Sequence, residues 1–290
     1  MTDKKRTLIR LGIFLLISFL PFLIIVPIMN AHYGAPIFEC EEAMSAVYAL
    51  GVFGMMIPSV AHLVTRLVTK EGFRNTYLAA NVKGNVKWYV ASVAVKLAES
   101  ALCAVMICLI YADGRSFSEI FSVEDPALIT GLLLLQLAAS VIVFFPSFGE
   151  EWGWRGYMMP KLTELMGRPA AIVVGGVIWG LWHAPLTVSG HNFSTDTNPL
   201  LAVLMMCGLC VLMNTFLTLL TERTKSIYPA SFCHMVNNNM GATALMTLFC
   251  TEDFLQSLPR ISPLLMFPFV GTTAVVSFIL LMKKNKKSDT

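Results

Sequence analysis

The fold of this chain is decided by residues 127–159, which read ALITGLLLLQLAASVIVFFPSFGEEWGWRGYMM. The first 23 residues of this stretch carry no charged side chain, and about 20 apolar residues in a helix are enough to cross a bilayer. Glu150 and Glu151 follow directly, and apart from Arg155 the chain then stays apolar or amphipathic until Lys161. The stretch therefore predicts a membrane span that carries carboxylates at membrane depth.

The rest of the chain has the same apolar character. Hydrophobic residues make up 56% of the 290 residues and charged residues only 13%, whereas soluble domains carry about 25% charged residues. The predicted fold class is an all-α integral membrane protein, a bundle of about eight transmembrane helices. No linker or repeat divides the chain, so we expect a single membrane domain over residues 1–290. The predicted spans are 8–29, 44–69, 88–112, 127–148, 170–189, 200–221, 226–250 and 262–282.

The basic residues are divided very unevenly between the two sides of these spans. Of 21 Lys and Arg residues, 18 fall at the two termini and in the loops 66–87, 155–168 and 223–225. Only Arg115 and Arg260 fall in the opposite loops, which hold most of the acidic residues. The positive-inside rule therefore predicts a multi-pass protein with both termini in the cytoplasm. The lipid bilayer is an expected partner, and the net charge of +3 gives no reason to expect nucleic-acid binding.

Some ionisable residues within the spans have a structural explanation. Lys96 and Glu99 lie three residues apart on one predicted helix, where they can neutralise each other. His62 and Arg66 lie near the cytoplasmic end of the second span, where an arginine can reach lipid phosphates. We assign all four to structure rather than to chemistry.

Three other segments supply two carboxylates, two imidazoles and carboxamides at membrane depth, which is the inventory of a hydrolase. Glu151 and Arg155 are four residues apart and share a helix face, so they pair and leave Glu150 free to take a proton from water. His234 and Asn238 are also four apart, so both can donate hydrogen bonds to the oxyanion of one reacting carbonyl. The segments are 150–155, 179–183 and 234–238.

The spans as drawn place Glu150 too far from His183 for both to act on one substrate. His183 lies about 20 Å along the fifth span, whereas Glu150 ends the fourth. We therefore expect the fourth helix to continue past Glu150 towards Lys161, with a kink at Pro146.

The metal content and the function class stay open from the residues alone. Glu150, His183 and His234 could share a catalytic water or could bind Zn²⁺, although the chain has no HExxH motif. The same residues could serve a non-catalytic membrane binder or immunity protein, or a transporter with a proton relay. No inverted repeat supports transport.

In this order and spacing, the three segments resemble the motifs of the CAAX protease and bacteriocin-processing family of intramembrane proteases. Its Glu-Glu-x-x-x-Arg motif matches FGEEWGWRGYMMPKL, its aromatic-x-x-x-His motif matches WGLWHAP at Trp179 and His183, and its His-x-x-x-Asn motif matches HMVNN at His234 and Asn238. Trp179 stands where phenylalanine is commoner, which keeps an aromatic wall. The resemblance covers residues of about 127–250, the expected catalytic core.

The resemblance implies eight helices around a conical polar cavity that opens toward the cytoplasmic side. It also implies an intramembrane endopeptidase in which Glu150, assisted by His183, activates water while His234 and Asn238 bind the oxyanion. Glu151, Arg155 and Trp179 would support them. Eukaryotic relatives trim prenylated CAAX proteins, and bacterial relatives generally lack such substrates. The expected partner is therefore a membrane-associated peptide or protein, and the expected location is a bacterial cell membrane.

Overall fold

The computed structural model describes residues 3–122, 126–259 and 262–283, and within them every regular element is helical. The predicted all-α class is confirmed. An isolated β-bridge joins Phe121 to Cys250. The helices are α1 (Asp3–Tyr33), α2 (Met44–Gly54), α3 (Ile57–Val68), α4 (Val86–Tyr111), α5 (Phe117–Ile120), α6 (Pro126–Gly153), α7 (Met159–Met166), α8 (Arg168–Trp182), α9 (Ala184–Thr187), α10 (Pro199–Thr224), α11 (Tyr228–Asn239), α12 (Ala242–Phe249), α13 (Glu252–Ser257) and α14 (Phe267–Met282).

Among the described residues, six helical stretches are long and apolar enough to cross a membrane. The other two predicted spans, 170–189 and 226–250, consist of shorter helices. One of these, α8, has 15 residues and is therefore only about 22 Å long. The count of eight spans stays a prediction. The six stretches are Asp3–Tyr33, Glu41–Val68, Val86–Tyr111, Ala127–Met166, Pro199–Thr224 and Leu264–Met282.

The stretch Ala127–Met166 is one continuous helical rod of 40 residues. Helix α6 passes through a π-helical turn, Trp154–Met158, into α7. Pro146 lies inside α6 without ending it. The predicted continuation past Glu150 is confirmed, and it places that carboxylate well inside the helical rod.

Three helix breaks have local causes in the sequence. Helix α3 starts with Pro58 in its first turn, after the break at 55–56, and α9 starts with Pro185 after the break at His183. Proline is tolerated in a first turn because it lacks only a backbone N–H that is unpaired there anyway. Helix α11 ends on a run of asparagines before Gly241, and asparagine is a poor helix former.

Helices α8 and α10 approach each other closely along glycines. A Cβ on Gly176 would lie 2.4 Å from the Cα of Val211, and a Cβ on Gly180 would lie 2.5 Å from the Cα of Cys207. Gly-x-x-x-Gly spacing puts both glycines on one face, which lets two membrane helices pack backbone to backbone. This contact fixes the position of the last turn of α8 relative to α10.

A second Gly-x-x-x-Gly pair joins α6 to the start of α3. A Cβ on Gly149 would lie 2.4 Å from the sulfur of Met56, and one on Gly153 would lie 2.3 Å from the Cβ of Pro58. The two glycines flank Glu150 and Glu151. The carboxylates therefore stand on a part of α6 that is held against its neighbour.

The connecting segments gather at two ends of the molecule. At one end Arg10 lies 3.4 Å from Glu71, and Arg168 donates to the carbonyl of Leu281 at 2.8 Å. At the other end Thr195 donates to Glu39. Most charged residues of the first end are Lys or Arg, and most of those at the second are Asp or Glu. We call segments 3–10, 69–85, 161–168, 224–227 and 281–283 the basic end, and segments 33–43, 112–122, 189–198 and 250–257 the acidic end.

Two of the structural assignments from the sequence can be compared directly with the fold. Lys96 donates to Glu99 at 2.9 Å, so the predicted ion pair is present. The expectation that Arg66 reaches lipid phosphates is wrong. Its side chain is buried and donates to His62 at 2.6 Å and to the carbonyl of Gly72 at 2.5 Å.

Candidate active site

A cavity of about 490 Å³ lies between α2, α6, α8, α10 and α11. Glu150, His183, His234 and Asn238 all line it, as does Trp179. Residues from three separate helical segments, up to 88 positions apart in sequence, therefore face one space. The remaining walls are mostly apolar, which is the usual make-up of a small-molecule or peptide site.

Glu150 is held at the wall of this cavity by two indole groups. Its side chain is only 2% exposed. Trp179 donates from Nε1 to Oε2 at 2.8 Å, and Trp154 donates to the same oxygen at 3.3 Å. Both hydrogen bonds reach Oε2, so Oε1 is the carboxylate oxygen left for a group in the cavity.

Glu151 does not line the cavity and binds Arg155 and His234. Arg155 donates to its Oε1 at 2.9 Å, and Nδ1 of His234 lies 2.8 Å from the same oxygen. The guanidinium of Arg155 also lies 4.0 Å from the centre of the Trp179 ring, a cation–π contact. The predicted pair of Glu151 with Arg155 is present, and the structure adds His234 to it.

His183 occupies the break between α8 and α9. Its Nδ1 lies 2.9 Å from the carbonyl oxygen of Trp179. A carbonyl can only accept, so Nδ1 carries the proton and Nε2 of the neutral ring is an acceptor. The ring of His191 stacks on it, with centroids 6.0 Å apart and an angle of 6° between the planes.

Asn238 is oriented by its neighbour in sequence. Asn237 donates from Nδ2 to Oδ1 of Asn238 at 3.0 Å. The Nδ2 of Asn238 makes only a long contact of 3.9 Å with the sulfur of Met55. Thioether sulfur is a weak acceptor, so the amide N–H groups of Asn238 remain available to a stronger acceptor in the cavity.

The residues that could bind Zn²⁺ do not fit that role together. Among the described residues, no three or more His, Cys, Asp or Glu side chains are grouped closely enough to hold a metal ion. We therefore derive no step through zinc.

A comparison with known protein families falls on this same region. The family model described as "Type II CAAX prenyl endopeptidase Rce1-like" matches residues 131–240. That range contains all four of the cavity residues predicted to be catalytic. Over these residues the chain is similar to the Rce1-like family.

A curated protein is also similar to part of this chain. It is CAAX prenyl protease 2 of Methanococcus maripaludis, which is 31% identical over 86 residues. The aligned part covers 30% of this chain and 26% of the relative. The chain therefore matches only about a quarter of that relative's length.

Three residues of the site were missed by the sequence reasoning. Trp154 follows Glu150 by four positions, so the shared helix face was a signal that could have found it. Asn237 lies within the HMVNN motif and needed only the hydrogen-bond direction. His191 lies in the loop after α9, and no periodic pattern in the sequence relates it to His183.

Proposed function

We propose that this chain is an intramembrane endopeptidase that hydrolyses a peptide bond of a membrane-associated peptide or protein, with Glu150 as the residue that activates water. The chemistry is that of a CAAX-prenyl-protease-like enzyme. The observation that carries the proposal is the setting of Glu150. One carboxylate oxygen is fixed by two indole N–H groups, and the other is left for the cavity. A positioned acceptor beside a mostly apolar cavity is what a general base requires.

The first step would use Glu150 and His183 together. A water molecule in the cavity would donate one hydrogen to Oε1 of Glu150 and the other to Nε2 of His183. Glu150 would take the proton as the water oxygen bonds to the scissile carbonyl carbon. The product of this step is a tetrahedral intermediate with a negative oxygen.

His234 and Asn238 would stabilise that oxygen. Asn238 has amide N–H groups available, and Nε2 of His234 is the ring nitrogen not used by Glu151. The Glu151 carboxylate would compensate the positive charge of the His234 ring as it donates from Nε2. Arg155 would keep that carboxylate in place through the ion pair already described.

The second step would return the proton. Glu150 would donate it to the nitrogen of the scissile bond as the carbon–nitrogen bond breaks. The remaining hydrogen of the attacking water passes from the new carboxyl group to the amine, so the products are a carboxylate and an ammonium group, and Glu150 is again ionised. No atom is left on the enzyme, so the cycle needs only water and the peptide.

The test is a digest of a peptide library by the full chain in detergent, read by mass spectrometry and repeated with a chelator. We expect internal cleavage that yields matched amino- and carboxyl-terminal fragments. Glu150→Gln keeps an oxygen acceptor for the two indoles and should give no fragments. Glu164→Gln, at the exposed basic end, is the matched control and should cleave like the parent chain. A non-catalytic binder would give no cleavage with any of the three, which would sink the proposal.

A further inference from the structure

A second cavity, of about 270 Å³, lies at the basic end between α7, the start of α8 and the end of α10. We call it the rear cavity. Its charged wall residues are Arg155, Arg168, Glu222 and Lys225. Arg155 is buried and Lys225 is exposed, so the rear cavity leads from the surface of the protein to a buried guanidinium. None of these four residues lines the cavity that contains Glu150, so the two cavities have different walls.

Arg155 has two buried nitrogens without a hydrogen-bond partner. Its Nη1 donates to Glu151 at 2.9 Å, and the face of its guanidinium lies on the ring of Trp179. Within the described part of the chain, its Nε and Nη2 find no acceptor, although both are buried. These two nitrogens share one edge of the guanidinium, and their parallel N–H bonds suit two oxygens of one anion. A buried cationic donor without an acceptor is costly, so this edge of Arg155 is suited to receive an anion.

The charges around the rear cavity leave an excess of positive charge. Arg168 is paired with Glu222, with 3.0 Å between Nη2 and Oε2, so these two side chains balance each other. Arg155 and Lys225 remain. Even when Glu151 is counted with Arg155, cations outnumber carboxylates by three to two. The electrostatics therefore favour an anionic ligand.

The position and the size of the rear cavity favour a phosphate group. Helix α7 ends at Met166 and α10 ends at Thr224, so the mouth of the cavity lies where these helices leave the apolar layer. Phospholipid headgroups lie at that level, and basic segments there are attracted to anionic lipids. The volume of about 270 Å³ is below the range of about 300–1,000 Å³ that is usual for drug-sized ligands. Such a volume suits a small anion better than a peptide.

We propose that the rear cavity binds a phosphate group, which accepts hydrogen bonds from Nε and Nη2 of Arg155 at the inner end and faces the ammonium of Lys225 at the rim. The group belongs to a phospholipid headgroup or to a free phosphate. Glu151 and Trp179 keep their contacts with Arg155 when the group is bound, because they use Nη1 and the face of the guanidinium. The proposal concerns binding alone and does not depend on the proposed function, so either can fail without the other.

Binding of inorganic phosphate can be measured by equilibrium dialysis of the full chain in a non-ionic detergent. Radiolabelled phosphate is the probe, and sodium chloride holds the ionic strength constant. We expect saturable binding of one phosphate per chain. General stabilisation by phosphate as an excluded salt would show no saturation, so the two effects are distinguishable.

Two lysine variants test whether the phosphate binds in the rear cavity. Lys225→Glu reverses the charge at the rim and should weaken binding about fivefold or more. Lys70→Glu is the matched control. Lys70 is also an exposed lysine of the basic end with a positive φ, 49° against 54° for Lys225, but it does not line the cavity. Equal affinities of Lys225→Glu and the parent chain, or an equal loss in Lys70→Glu, would overturn the proposal.

Arg155→Lys tests the inner end of the rear cavity. Lysine keeps the positive charge and lacks the edge of two parallel N–H groups, so the variant should bind phosphate about tenfold or more weakly. Parent-like affinity in a folded Arg155→Lys variant would overturn the proposal. If thermal unfolding shows that Arg155→Lys does not fold, the comparison of Lys225→Glu with Lys70→Glu still decides.

Native mass spectrometry separates the two sources of phosphate. The parent chain and both lysine variants are reconstituted with phosphatidylcholine and phosphatidylglycerol and then returned to detergent. If a headgroup fills the rear cavity, the parent chain and Lys70→Glu should retain one phospholipid that Lys225→Glu loses. If free phosphate fills it, dialysis should show binding and no lipid should be retained. The absence of both retained lipid and saturable phosphate binding would overturn the proposal.

Discussion

Replacing Trp179 with phenylalanine removes one N–H group from Glu150 and keeps an aromatic ring beneath Arg155. The deleted hydrogen bond is the shorter of the two that reach Glu150 Oε2, at 2.8 Å against 3.3 Å for Trp154. A hydrogen bond to a charged group contributes about 1.5–3 kcal/mol. If that energy holds the base in place during attack, kcat/KM should fall about 10- to 150-fold.

The assay for Trp179→Phe is cleavage of a quenched peptide by the purified chain in detergent, with folding checked by thermal unfolding. Trp154→Phe should lose less activity, because its hydrogen bond is longer. Trp88→Phe, on α4 and outside the cavity, should cleave like the parent chain. Activity of Trp179→Phe within twofold of the parent, with Tm unchanged, would refute the idea that this indole positions Glu150.

Three further changes test the parts of the fold that support the site. Glu151→Gln should lower stability by about 3–5 kcal/mol, because it leaves the buried cation of Arg155 without its carboxylate; thermal unfolding in detergent measures this. Gly180→Ala should lower the free energy of unfolding by about 1–3 kcal/mol, because its new methyl group would collide with α10. Gly12→Ala places its methyl group in open space and should change Tm little. Glu71→Gln should remove part of the loss of stability on acidification, as seen in Tm measured from pH 7 to pH 3.

The sign of the pH effect follows from the surroundings of Glu71, which lies outside the spans. Burial raises the pKa of this carboxyl, but the hydrogen bond and charge of Lys161 together with the Tyr157 hydroxyl outweigh burial and leave the pKa below its usual 4.5. A lowered pKa contributes stability that is present above 4.5 and is lost as the pH falls through the folded value. An identical pH dependence in Glu71→Gln would contradict this assignment.

For Glu151→Gln and Gly180→Ala, an unchanged Tm would contradict the prediction. Glu151→Gln with the parent Tm would show that Arg155 finds another partner in the folded chain. Gly180→Ala with the Tm of Gly12→Ala would show that α8 and α10 can separate without cost.

The all-α class and the four cavity residues could be predicted because they depend on local patterns. Apolar runs predict helices, and spacings of four residues place Glu151 with Arg155 and His234 with Asn238. The continuation of the helix past Glu150 followed from requiring His183 and Glu150 to meet. That argument used the distance between the two residues rather than composition. The 40-residue helical rod confirms the continuation.

What could not be predicted depends on contacts between distant segments. The approach of α8 to α10 follows from Gly176 and Gly180, but only the fold shows which helix they face. The bond from His234 to Glu151 joins residues 83 positions apart, and no spacing rule relates them.

The central claim is that Glu150 is the base that activates water. The most direct measurement is kcat/KM for Glu150→Gln on a quenched peptide from the library digest, beside Glu164→Gln and with Tm measured for both. General base catalysis contributes about 10²- to 10⁴-fold, so we predict a loss of at least 100-fold for Glu150→Gln and no loss for Glu164→Gln. Cleavage by a folded Glu150→Gln variant at the parent rate would contradict the claim.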